Sequence, residues 1–255
     1  MTIEIVTVPC RSDNYAFLVH DGDTGCTALV DAPEAAPILS ALEARGWTLG
    51  QLFLTHHHDD HIAGTEELRT RYGCSVYGGA ADAHRLPPLD HALSEGDSVD
   101  CAGHPMQVLD VSGHTVGHLA FYLPAAKAAF TADSLMALGC GRVFEGTMPQ
   151  MWHSLSKLAA LPPDTTICSG HEYTATNAAF AATIEPDNQD LQTRISAVKA
   201  ARAKGAFTVP SLLSEELATN PFLRAGLSSV KSALTMPSAP DAEVFAEIRR
   251  RKDSF

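Results

Sequence analysis

A layered α/β sandwich followed by a smaller helical domain is the fold class this 255-residue sequence predicts. Three observations predict it. Over the first two-thirds of the chain, short apolar segments of strand length recur with occasional helical stretches between them. After about Tyr173 the strand signal nearly disappears and helix-favouring segments take over. A hydrophobic content of 45% is enough for a sizeable core.

IEIVTV (3–8), YAFLVH (15–20) and TALVDA (27–32) read as a strand meander, with DNY and DGDTG turns between them. Residues 34–45 favour helix and end at Gly46, a C-cap. QLFLT (51–55) is a short apolar strand that runs straight into THHHDDH (55–61). AGTEELRTRYG (63–73) reads as a helix ending at Gly73. Further strands are expected at MQVLDVS (106–112), LAFYL (119–123), AAFTA (128–132) and TTICS (165–169). Residues 174–184, 187–204, 214–219 and 241–252 favour helix, divided by proline and serine breaks at 210–211 and 237–240.

A net charge of −12 argues against a nucleic-acid partner, which needs a basic surface, but leaves room for a small anionic substrate in a local basic pocket. No apolar run is long enough to span a membrane. MTIEIVTVPC has neither a basic n-region nor an apolar h-region, so no signal peptide is expected and the cytoplasm is the expected address. The six cysteines (Cys10, Cys26, Cys74, Cys101, Cys140, Cys168) form no C-x-x-C pair. They are expected to be reduced thiols, with no structural zinc knuckle.

THHHDDH concentrates four histidines and two aspartates in seven positions at a strand end. In extended backbone alternate side chains share a face, so His56 and His58 are expected on one side and His57 on the other. Two imidazoles on one side can share a metal ion, which leaves His57 a bystander. Asp60 and His61 follow once the chain turns toward the helix, where they can face a second ion. Taken alone, such a run can also be a solvated turn.

More candidates stand at strand ends. SGHTVGH (112–118) places His114 in a glycine-flanked loop, FTADS (130–134) puts Asp133 just past a strand, and CSGHEYT (168–174) does the same for His171. Each alone reads more readily as structural. Their coincidence at one type of position, where strand ends converge on one sheet edge, favours a metal centre.

T-H-x-H-x-D-H, a distant G-H-T-x-G-H, an aspartate after a strand and then G-H together resemble the metallo-β-lactamase superfamily. Within it the sequence is similar to glyoxalase II, the hydroxyacylglutathione hydrolases. VPCRSDNYAFLV (8–19), GCGRVFEGT (139–147), HEYTATNAAFAATIEPDN (171–188), NPFLR (220–224) and IRRRKDSF (248–255) carry that closer likeness across essentially the whole chain. FTADSL has alanine where the family commonly has glycine, beside an unchanged aspartate.

The resemblance implies an αββα four-layer sandwich over residues 1–172 and a helical C-terminal domain over 173–255 that contributes to glutathione binding. It implies two divalent ions. His56, His58 and His114 would hold the first, Asp60, His61 and His171 the second, and Asp133 would bridge them. Seven nitrogen and oxygen ligands suit zinc first, with iron or manganese as alternatives. His118 is read as a supporting or structural residue. His20, His84, His91, His104 and His153 have no such role.

Two ions sharing one water lower its pKa enough to supply hydroxide near neutral pH, and that hydroxide can attack a carbonyl. No G-x-S-x-G occurs and no cysteine has a case as nucleophile. Asp60 can also orient the attacking hydroxide, and Asp133 acts by serving both ions. The family implies a thioester substrate, S-(2-hydroxyacyl)glutathione, commonly the D-lactoyl compound, hydrolysed to glutathione and D-lactate in the second step of methylglyoxal detoxification. A thiolate, with a free thiol pKa of about 8.5, leaves without a dedicated general acid. Glutathione carries two carboxylates, and the resemblance assigns its recognition to Arg142, Tyr173, Arg249 and Lys252. Without the resemblance, RRRK (249–252) reads as a solvated helix end and Tyr173 as a packed junction residue. The partner implied is a small glutathione thioester, with no nucleic acid and no membrane, and the chain is expected to be a monomer. Rival readings are a lactonase or other thioesterase, a one-iron sulfur dioxygenase, and a non-catalytic metal-binding protein. A tRNA-processing nuclease is disfavoured by the charge.

Overall fold

The computed structural model describes residues 3–255. The chain forms two compact units: Met1–Asp110 with Val116–Ala132, and Val111–Thr115 with Asp133–Phe255.

The first unit opens with β1 (Ile3–Cys10), β2 (Asn14–Asp21) and β3 (Thr27–Val30), an antiparallel meander as the sequence predicts. Asp21 fixes the second turn by accepting the N–H groups of Asp23 and Thr24 on one oxygen, both at 2.8 Å. The chain then crosses over through α1 (Ala35–Arg45) to β4 (Gln51–Phe53), and through α2 (Asp59–Ile62) and α3 (Thr65–Tyr72) to β5 (Ser75–Gly79). β6 (His91–Leu93) completes a six-stranded sheet in which β3 to β6 run parallel. Gly46 and Gly73 end α1 and α3 in the left-handed conformation, as C-caps. Ile38 and Leu42 of α1 and Leu68 of α3 pack with Leu18, Leu29 and Leu52 of the sheet in one apolar core.

β7 (Ser98–Cys101), β8 (His104–Asp110), β9 (Leu119–Leu123) and β10 (Ala128–Ala132) form a second antiparallel ladder in this unit. Phe17 meets Phe130 at 5.8 Å and Phe53 meets Phe121 at 5.5 Å, so the two sheets face each other across aromatic contacts. The sandwich is thereby built from sheets whose inner faces are both apolar.

The second unit holds a small hairpin, β11 (Leu135–Met136) with β12 (Gly139–Cys140), then α4 (Met148–Ala159) and β13 (Thr166–Ser169). Helices follow: α5 (Thr174–Ile184), α6 (Gln189–Ala203), α7 (Leu213–Thr219), α8 (Ser228–Ala233) and α9 (Asp241–Asp253). β14 (Ser211–Leu212) interrupts them and pairs with β13.

Several expectations shift. TALVDA ends as strand at Val30, because Asp31 turns to a φ of 59°. QLFLT is strand only to Phe53. The helix expected over 63–73 is α3, and a separate short helix, α2, precedes it, with Gly64 between them so close to the Glu34–Ala35 backbone that a Cβ would lie 2.8 Å from it. The strand expected at 106–112 starts earlier, at His104, and ends at Asp110. The elements α2, β5, β6, β7, β11, β12, α4, β14 and α8 lie outside the expected ranges. Burial pushes the thiol pKa of Cys10 and Cys101 up to about 12 and that of Cys140 up to about 11. All six cysteines are unpaired thiols.

Candidate metal centre

The histidine loop leaves β4 in extended backbone and enters α2 at His58, whose φ and ψ of −63° and 139° are still extended. His56 and His58 turn to the same side: His56 Nε2 lies 3.1 Å from His58 Nδ1. His57 turns away and donates to Asp82 at 3.2 Å, where Arg85 also binds the carboxylate. The alternation expected of an extended segment is therefore present.

Asp31 organises the loop. It accepts the Nδ1–H of His61 at 2.8 Å and the backbone N–H of Thr55 at 2.9 Å. It also accepts the Thr55 hydroxyl at 2.9 Å, and that hydroxyl in turn accepts from His56 Nδ1 at 3.0 Å. Both imidazoles are thus held with Nδ1 protonated, which turns each Nε2 lone pair into the atom that could meet a metal. The ring of His118 stacks on His56 at 4.6 Å, and its Nδ1–H donates to the Leu119 carbonyl. Asn14 donates to both the carbonyl and the carboxylate of Asp60, at 2.9 and 3.1 Å. Asp31, Thr55, Asn14 and Asp82 are supporting residues that the sequence reading passed over. Asp31 had a signal, since an acid just past TALV stands where Asp133 stands past AAFTA.

In the second unit His114 and His171 aim Nε2 at one oxygen of Asp133, from 3.5 and 3.3 Å. All three are buried. His114 donates Nδ1–H to the Arg142 carbonyl at 2.8 Å, again leaving Nε2 for a ligand. His171 stacks on Tyr173 at 4.6 Å and 7°. Donors of this kind fit a metal: imidazole nitrogens with a fixed tautomer and carboxylate oxygens, with no thiolate among them. The chain carries a histidine–aspartate cluster suited to metal binding.

Comparison with known proteins decides the family. Residues 12–171 match the metallo-β-lactamase superfamily and residues 172–255 match the hydroxyacylglutathione hydrolase C-terminus. The hydroxyacylglutathione hydrolase of Ruegeria pomeroyi is 66% identical over 255 residues, which cover the whole of both chains. The chain belongs to the hydroxyacylglutathione hydrolase family. Among solved structures, the BLEG-1 B3 metallo-β-lactamase has a TM-score of 0.68 at 19% identity, over 86% of this chain and 99% of that one, a likeness of fold alone. TTHA1623, solved in a di-iron-bound form, has a TM-score of 0.55 at 29% identity over 66% of this chain and 91% of that one.

In this hydroxyacylglutathione hydrolase relative, the residues expected to meet glutathione differ sharply in exposure. Arg249 is only 3% exposed. Its guanidinium donates to the Cys140 carbonyl at 2.9 Å and to Asp253 at 2.9 and 3.1 Å, and lies 5.1 Å over the Phe222 ring. RRRK is therefore not a frayed, solvated end at this position. Arg142 is largely exposed and reaches the same Asp253 at 3.8 Å. Lys252 donates to the Thr176 carbonyl at 3.3 Å and lies over Phe180 and Phe255. Desolvation first, then the positive charges of Arg249 and Arg142, pushes its pKa down to about 8. Tyr173 and Phe144 expose their rings, and Phe144 also packs against His114 at 5.2 Å.

Proposed function

We propose that this chain hydrolyses S-(2-hydroxyacyl)glutathione thioesters, S-D-lactoylglutathione among them, to glutathione and a 2-hydroxy acid, here D-lactate. This is the second step of methylglyoxal detoxification. The observation that carries the reading is the full-length identity to the hydroxyacylglutathione hydrolase of Ruegeria pomeroyi. Water adds its oxygen to the acyl carbon, the C–S bond breaks, and glutathione leaves as a thiolate that takes up a proton.

His56, His58 and His114 are proposed to hold one divalent ion, Asp60, His61 and His171 a second, with Asp133 bridging. Support comes from within each unit: His56 and His58 turn to one side with Nε2 and Nδ1 3.1 Å apart, and His114 and His171 both aim Nε2 at one oxygen of Asp133. The di-iron form of TTHA1623 adds support for two ions, with zinc expected here and iron or manganese as alternatives. Such ions, when bound, supply Lewis acidity and lower the pKa of water toward neutrality. The chain's own residues do the rest. Asp31, Thr55 and the Arg142 carbonyl fix imidazole tautomers, and Asn14 holds the Asp60 carboxylate where it can accept a hydrogen bond from the attacking water.

Arg142, Tyr173, Arg249 and Lys252 are proposed to recognise the glutathione moiety, which suits its two carboxylates. Residues 1–172 are proposed as the catalytic domain and 173–255 as a helical domain contributing to glutathione binding. A monomer acting in the cytoplasm completes the proposal. Among the described residues no helix is long and apolar enough to cross a membrane.

The test is turnover of lactoylglutathione by purified protein, with acyl-lactones and acyl-CoA in parallel and elemental analysis of the same sample. Preference for a lactone or acyl-CoA would overturn the substrate. A fully active sample saturated at one ion per chain would overturn the two-ion centre.

A further inference from the structure

The hairpin that follows Asp133 is too short to hold itself. Its ladder is two residue pairs, Leu135 with Cys140 and Met136 with Gly139, and residues 135–140 are all buried. Buried carbonyls need partners. Side chains from three helices or their ends supply them. Asn220, the C-cap of α7, donates to the carbonyls of Met136 at 3.1 Å and Gly139 at 2.9 Å. Asn177 of α5 donates to that of Ala137 at 3.0 Å. Arg249 of α9 donates to that of Cys140. The N–H of Leu138 donates to the buried carboxylate of Glu216 in α7 at 2.8 Å. Glu216 also accepts from Arg194, Ser211 and Asn220, so its charge is matched and fixed.

The far side of this gripped hairpin touches two candidate metal ligands. Gly141 donates to the Ser134 carbonyl at 3.2 Å, and a Cβ at Gly141 would lie 2.0 Å from the carbonyl oxygen of Asp133. The next residue, Arg142, offers the carbonyl that sets the His114 tautomer. Gly139 lies just as tightly on the other side, where a Cβ would stand 2.4 Å from the Asn177 amide nitrogen. Little slack exists between the amides and the ligands.

We propose that Asn220 and Asn177 are positioning residues of the hydrolytic site, acting through the 136–142 backbone on Asp133 and His114. The proposal rests on the metal centre proposed above. It gives the helical segment a part in the chemistry distinct from holding glutathione. The helices set the ligands by gripping carbonyls.

The experiment compares Asn220→Ala and Asn177→Ala with a control, Glu185→Gln. The control weakens the half-buried Glu185–Arg224 pair, which joins the same helical region without touching the hairpin. Zinc-loaded proteins are held well below their unfolding midpoints, and kcat, KM and the rate of zinc loss to a chelating dye are read. The asparagine variants should lose on the order of ten-fold in kcat and shed zinc about ten-fold faster, with KM within two-fold of the parent. Glu185→Gln should keep kcat and zinc even where its midpoint falls as far. Asparagine variants that match the control at every readout would overturn the proposal, leaving them as fold residues only. If Asn220→Ala does not fold, Asn177→Ala, which removes one bond, decides. If the parent protein fails to turn over the thioester, the substrate reading falls, while zinc release still tests the positioning.

Discussion

Asp31 accepts the Nδ1–H of His61 at 2.8 Å, and through the Thr55 hydroxyl the same carboxylate also orders His56. One acid thus fixes the tautomer of two histidines from opposite ends of the loop. Asp31→Asn keeps the shape and removes one acceptor oxygen. It should weaken metal binding by about ten- to a hundred-fold, read by competition with a chelating dye. Unchanged affinity would mean that the tautomers are set elsewhere.

Neighbouring histidines should behave in opposite ways. His56→Ala should lose metal and activity together. His57→Ala should keep most of both, since His57 faces Asp82 and Arg85 still binds that carboxylate. Equal loss in the two variants would show that the loop's geometry is misread.

Lys252 and Arg249, both proposed to meet glutathione, differ in how far the fold depends on them. Arg249→Ala would leave the Cys140 carbonyl and Asp253 without their donor and should lower stability by about 1–3 kcal/mol, seen in chemical denaturation. Lys252→Ala should instead raise KM about three- to ten-fold at pH 7 and low salt, with a smaller change in kcat. The pH dependence follows from the lowered pKa. Lys252 is charged below about 8 and loses its charge as pH rises through that value, so the parent's KM should climb between pH 7 and 9. Lys252→Arg, which stays charged, should flatten that climb. A KM that does not change with pH in the parent would remove Lys252 from substrate binding.

Ala132, which stands where the family commonly has glycine, adopts a φ of 40°. A Cβ in the left-handed region is strained, so Ala132→Gly should relieve it. Glycine's greater freedom in the unfolded chain offsets part of the gain, leaving a net stabilisation of a few tenths to about 1 kcal/mol. A calorimetric midpoint that falls in the variant would show that the strain is not released there.

The parts of the fold legible in the sequence are those whose apolar pattern matches their final burial. β1 to β3, β9, β10 and the helices α1, α5, α6 and α9 fall within a few residues of expectation because each is a continuous apolar or helix-favouring run bounded by turn or breaker residues. β5 and β6 escaped notice because SVYGG and HAL are short and carry glycine or an exposed histidine. α4 carried a readable start, since Thr147 and Gln150 form a capping box before a proline-led helix, but its strand-poor surroundings masked it. At the site, the candidate ligands were legible because they stand at strand ends. Their supports were not, because Asp31 and Asn14 reach their partners across 30 and 46 residues of sequence. Arg249 looked like surface charge in RRRK, and only the packing of α9 buries it.

Five of the six thiols are buried, and burial is the leading cause that raises the pKa of each of them. A protonated, sheltered sulfur is a poor nucleophile toward electrophiles such as α-oxoaldehydes or alkylating probes. Cys26 alone is exposed, in the loop before β3. The native chain therefore behaves as its own single-cysteine variant, open to one maleimide fluorophore per molecule without any mutagenesis.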